Sequence, residues 1–175
     1  MPTDLPPDLR ELAWLQRGAL TTRQAIEGGL TMDLLRSRVH QGIWQRPHCG
    51  VYIVFSGRPD RQAAQWAAVL RAGRGAMLSY HSAAELAGLG ERQDGLIHVT
   101  LPGDRRISKI QGVALHWSDR AAQACHPALT PPQTRVEETV LDLAGAASTV
   151  DDAYGWAARA VGRPPPGPSV QRFPE

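Results

Sequence analysis

Residues 19–54 read ALTTRQAIEGGLTMDLLRSRVHQGIWQRPHCGVYIV, and the order of signals in that stretch decides the fold. Thr21-Thr22-Arg23-Gln24 has capping-box form, with Thr21 as N-cap and Gln24 reaching back to it. That starts a short helix to about Glu27, after which Gly28-Gly29 supply the positive φ angles of a sharp turn. Thr31 caps a second helix of about ten residues, which Gly42 stops. Two short helices joined by a glycine-containing turn form a helix-turn-helix pattern. Ile43–Arg46 and Val51–Val54 then read as two strands joined by a turn at 47–50, a β-hairpin. In front of the stretch, Asp8–Arg17 spaces Leu9, Leu12 and Ala13 as one helical face, with Asp8 as cap and Gly18 as stop. Helix, helix, helix, hairpin is the order of a winged helix.

The rest of the chain alternates helix and strand signals. Asp60–Ala72 has helical spacing, and Ala76–Ser79 reads as a short strand. Ser82 is the expected cap of an alanine-rich helix, SAAELAGL, with Glu85 completing a second capping box. Leu96–Leu101 and Gly112–Trp117 read as strands with a loop at 103–106 between them. Arg135–Ala144 puts Val136, Val140 and Leu143 on one helix face, and Val150–Val161 is a further helix. The expected class is α+β. A flexible lead-in at 1–7 precedes a winged helix-turn-helix at 8–57, a small mixed α/β domain at 58–161 and a disordered proline-rich tail at 162–175.

Composition excludes most other classes. The chain has 175 residues, 42% hydrophobic and 21% charged, which is ordinary for a globular protein rather than a disordered one. Its basic residues are 18 arginines and one lysine against 17 acids, far too balanced to hold nucleic acid by bulk charge. No apolar run is long enough to span a membrane, and the N-terminus lacks the basic start and apolar stretch of a signal peptide. Cys49 and Cys125 stand 76 positions apart, so neither a disulfide framework nor a CxxC zinc site is expected. The histidines beside them, His48 and His126, do not change that, because structural zinc needs close ligand pairs. A reducing cytoplasm is the expected location.

Charge placement is more informative than total charge. Between Gly18 and Arg58 there are five arginines against Glu27 and Asp33, a balance of +3. Between Thr130 and Asp152 there is one arginine against five acids, a balance of −4. On the second helix of the motif, Met32, Leu34, Leu35 and Val39 form the expected buried stripe. Asp33, Arg36, Ser37 and His40 form a polar stripe on the other side. A recognition helix presents such a stripe to the major groove: arginine reads guanine O6 and N7, and aspartate accepts from cytosine N4. Arg38 and Gln41 flank it, suited to phosphate. Thr21, Thr22 and Arg23 stand at a helix N-terminus, and Arg46 and His48 ride on the hairpin. The plainer reading of the same stripe is a solvated helix face.

No enzyme signature competes with this. Ser79-Tyr80-His81-Ser82 sets hydroxyls beside a histidine without a GxSxG elbow, and sequence neighbours do not make a triad. Glu137, Glu138 and Asp142 read as solvated carboxylates, and the five tryptophans as packing residues. Neither a cofactor nor a metal is expected.

Five segments together carry a family resemblance: LTTRQAIEGGLTMDLLRSRVHQGIWQRPHCGVY, LSYHSAAELAGL, HVTLP, GVALHWS and RVEETVLDLA. In this order, across roughly 8–161, the chain resembles the actinobacterial AbiEi-type (type IV toxin–antitoxin) antitoxin family. The wing pattern of Gly42, Trp44, Arg46, Gly50, Val51 and Tyr52, combined with the block at 82–89, is its most specific part. The resemblance implies an N-terminal winged helix that binds double-stranded DNA at its own promoter and represses the operon. It also implies a second domain that antagonises a nucleotidyltransferase-type toxin. Longer relatives continue into an endonuclease-like domain, for which this chain carries no carboxylate–lysine pattern. Two alternatives stand beside the repressor: an interaction module that masks a toxin or nuclease without binding DNA, and an inactive remnant of a two-domain nuclease-like protein. The oligomeric state is left open.

Overall fold

A computed structural model describes residues 5–90 and 95–162. The residues it describes form a mixed α+β structure with eight helices and two three-stranded sheets. None of these helices is long and apolar enough to cross a membrane. Residues 163–175 of the expected tail lie outside the described part.

Helix α1 (Pro7–Leu15) begins with Pro7 at its first position, where a missing N–H costs nothing. Pro6, not Asp8, is its cap residue. Of the expected flexible lead-in, residues 1–4 lie outside the described part, and Leu5 is buried in the core beside Leu9, its carbonyl accepting from Arg10. Gly18, at φ +85°, turns the chain into β1 (Ala19–Thr21), a strand with no clear period-2 signal. Helix α2 (Thr22–Glu27) carries the capping box as expected: the Thr21 hydroxyl accepts from the Gln24 amide while Gln24 Oε1 accepts from the Thr21 amide. Of the two following glycines only Gly29 has positive φ, since Gly28 closes the helix with ordinary backbone. Helix α3 (Met32–His40) is capped by Thr31, and Gly42 turns the chain at φ +69°.

The first strand of the hairpin forms two residues later than its apolar pattern suggests, while the second begins at Val51 as expected. Strand β2 (Gln45–His48) and β3 (Val51–Ile53) turn through Cys49-Gly50, with an irregular register between Gln45–Ile53 and His48–Val51. Trp44 is outside the strand because it is a core anchor, 3% exposed and beside Tyr52. The sheet order is β1-β3-β2, antiparallel throughout. One face, with Leu20, Tyr52 and Val54, packs on Leu9, Ala13, Ala25, Leu30 and Leu35 of the helices.

The other face of that sheet, with Ala19, Val51 and Ile53, packs on Ala63 and Ala67 of α4 (Arg61–Ala72). The same helix turns Ala68, Val69 and Ala72 against the second sheet. A helix apolar on two sides is buried on two sides; α4 therefore joins the units expected at 8–57 and 58–161.

The second sheet has the order β4 (Met77–Leu78), β5 (Ile97–Pro102), β6 (Val113–Ser118). Strands β5 and β6 are parallel and fully in register, from Ile97–Val113 to Pro102–Ser118. A parallel pair needs a crossover; here a loop serves, anchored to the α4-side core by Ile107 and Ile110. Helix α5 (Tyr80–Ala87) starts earlier than expected. Ser82 is not its cap but lies inside it, its hydroxyl accepting from the His98 amide. A short α6 (Ala121–Ala124) precedes α7 (Val136–Gly145) and α8 (Val150–Val161). Leu143, Val136 and Val140 face α5 and Trp156, the face that the sequence pattern assigns.

Candidate nucleic-acid interface

Helix α2 holds the turn of the hairpin that follows α3. Thr22 donates to the Gly50 carbonyl twice, from its amide at 2.9 Å and its hydroxyl at 3.3 Å. Gly50 takes φ +76° there, a backbone region that costs other L-residues about 1–2 kcal/mol. At the hairpin's other end, Gln45 Nε2 donates to the carbonyls of Phe55 and Gly57, both at 2.8 Å.

On α3, Asp33, Arg36 and His40 are exposed as the polar stripe requires. Asp33 and Arg36 face each other at 3.4 Å with side chains 93% and 72% exposed. Such a pair is worth less than about 1 kcal/mol, so a phosphate or base edge can replace it cheaply. Ser37 is half-buried and accepts from Gln41 Nε2 at 2.9 Å, which turns its hydroxyl along the helix. Arg38 is half-buried on the flank, its carbonyl accepting from the amides of Ile43 and Trp44.

The buried stripe is narrower than expected. Leu35 is fully buried and Val39 partly, whereas Met32 and Leu34 are 38% and 36% exposed. A helix this short on a small core buries one row of side chains, and the adjoining apolar positions stay at the rim. The polar stripe is therefore bordered by Met32 and Leu34, with Ile43 also exposed just beyond the helix. The sequence signal for this was the run of four apolar residues in nine positions, more than one face can bury.

The remaining expected residues divide. The Thr21 hydroxyl is engaged in the capping box and Thr22 in holding the hairpin, so both are local structure. Arg23 is exposed and pairs with Glu27 at 2.7 Å, which holds its guanidinium above the usual range. Arg46 is exposed on the hairpin, 3.5 Å from Cys49 Sγ. His48 is turned inward instead, lining a cleft with Pro47, Ile53, Ala64, Ala67 and Val113. Burial first, and the charge of Arg71 second, lower its pKa. It belongs to the junction between sheet and α4. In comparison with known proteins, no family model and no curated protein matches this chain.

Proposed function

We propose that residues 8–57 act as a winged helix-turn-helix that binds double-stranded DNA, in an antitoxin-like repressor of its own operon. One observation carries this reading: α3 presents Asp33, Arg36 and His40 to solvent and is followed directly by a hairpin bearing exposed Arg46, the Arg38 carbonyl of α3 accepting from the amides of Ile43 and Trp44 that lead into it. The order α1-β1-α2-α3-β2-β3 and the sheet order β1-β3-β2 fit a winged helix. In this reading Arg36 takes a guanine edge and Asp33 a cytosine amine. Arg23, Arg38 and Arg46 approach phosphates, which position the protein without reading sequence. Met32 and Leu34 at the rim suit thymine methyl groups. The protein works in the cytoplasm as a non-enzymatic regulator, and residues 58–161 contact a protein partner, a nucleotidyltransferase-type toxin. Exposed Leu141 on α7, with Val150, Tyr154 and Val161 on α8, supports a protein contact there.

Fluorescence anisotropy with the DNA upstream of its own gene tests the reading. Binding at low salt is expected, with Arg36→Ala costing roughly 1–3 kcal/mol and relaxing base preference at one position. No binding, or an Arg36→Ala protein that binds as the parent does, overturns it.

A further inference from the structure

The second sheet carries a group of side chains that DNA binding does not use. Residues 97, 99, 101 and 113 of β5 and β6 face the α4-side core. The alternate residues His98, Thr100 and His116 project from the opposite face. Nδ1 of His98 lies 3.1 Å from Nε2 of His116. Their rings are 12° from parallel with centroids 5.3 Å apart, and the two facing nitrogens share a hydrogen bond whose donor depends on the tautomer. Tyr80 stacks on His116 at 4.0 Å, and His81 meets His98 edge-on at 5.5 Å. The backbone beneath is equally fixed: the His98 amide donates to the Ser82 hydroxyl, and its carbonyl accepts from Ser79. Tyr80 takes φ +48°, a strained backbone that a tight surround must hold. Two hydroxyls with no hydrogen-bond partner adjoin the pair. Ser79 Oγ is fully buried, and Thr100, register partner of His116, is 5% exposed.

We propose that His98 and His116 form a binding site for one divalent transition-metal ion of the zinc, nickel or copper class. Two nitrogens on one tetrahedral zinc ion, each about 2.0–2.1 Å from it, stand about 3.3 Å apart, close to the spacing the strands and Tyr80 already impose. Imidazole nitrogen suits these metals better than magnesium or calcium. Each ring stays neutral on binding: the hydrogen on whichever facing nitrogen carries it moves to the outer nitrogen of the same ring. The facing lone pairs then form the two coordinate bonds. No third His, Cys, Asp or Glu among the described residues completes the set, so the ion keeps open positions for water or an added ligand. Burial lowers the pKa of His116, and burial with the charges of His116, His81 and Arg61 lowers that of His98 to about 4.

The test is titration of the chelator-stripped full chain with zinc chloride alone, followed by calorimetry. One ion per chain is expected, with His98→Asn and His116→Gln each weakening binding at least about tenfold. Cys49→Ser and His126→Ala, which remove other soft donors, should leave binding unchanged. Imidazole nitrogen resonances of the unmodified protein give a readout independent of variant folding, and those of His98 and His116 should shift on zinc addition. No binding, binding insensitive to both histidine variants, or shifts confined to other histidines would overturn the site.

Discussion

Arg61 Nε stands 3.1 Å from Glu85 Oε2, and the two side chains are only 14% and 15% exposed. This pair ties α4, the helix shared by both sheets, to α5. Arg61 also donates to the carbonyls of Gly95 and Leu96, and Gln65 donates to the same carboxylate oxygen at 3.3 Å. Removing one partner leaves a buried charge unpaired. Arg61→Met is expected to lose about 3–5 kcal/mol in denaturant unfolding, with Arg61→Met/Glu85→Leu recovering much of it. Equal losses in the single and double variants would show that packing, not charge, holds the two helices.

Gly18 sits at φ +85°, and a Cβ placed there would lie 2.5 Å from the Phe55 ring. Gly18→Ala is expected to cost at least about 1–2 kcal/mol from backbone strain alone. The loss should shrink when Phe55→Ala removes the steric part; thermal melts of the two single variants and the double variant measure it.

Thr21 caps α2, its hydroxyl accepting from the Gln24 amide. Thr21→Ala is expected to lower stability by about 1 kcal/mol while the folded protein binds DNA as before. A drop in DNA affinity without a change in melting temperature would return Thr21 to the interface.

Burial raises the Asp142 carboxyl pKa, with the nearby charge of Glu138 adding to it. A carboxyl whose folded pKa lies above its unfolded value opposes folding wherever it is ionised in both states, and stops opposing it below the unfolded pKa. Asp142→Asn is therefore expected to stabilise the protein at neutral pH. The gain is about 0.5 kcal/mol or less, because the group is half exposed and solvent screens it. It should fade as pH falls through the raised folded value toward the ordinary carboxylate range. Denaturant unfolding of both proteins at pH 7 and pH 3.5 checks the sign, and a gain that grows with acid contradicts it.

Salt distinguishes the arginines. If Arg46 meets a phosphate, Arg46→Ala should weaken DNA binding evenly across sequences and reduce the slope of log K against log salt by about one. Arg36→Ala should change base preference more than slope.

What the sequence settles is local, decided between residues a few positions apart. The capping box at Thr21–Gln24, the Thr31 cap and the span Val150–Val161 all follow from neighbouring side chains and backbone. The apolar row of α7 was equally legible, because one face of that helix packs on one partner. What the sequence misplaced depended on distant partners. Strand β1 exists because Ala19–Thr21 pairs with Val51–Ile53, thirty or more positions away in chain order. Ser82 reads as a cap but spends its hydroxyl on the His98 amide, and His48 stands on the hairpin as expected but lines the cleft beside Ala64 and Ala67 of α4. The meeting of His98 and His116 rests on parallel register between strands joined by a long loop, which no local pattern encodes. Caps and periodicity are short-range energies written in adjacent residues; which faces meet is decided by burial of the whole chain, and that only the tertiary structure supplies.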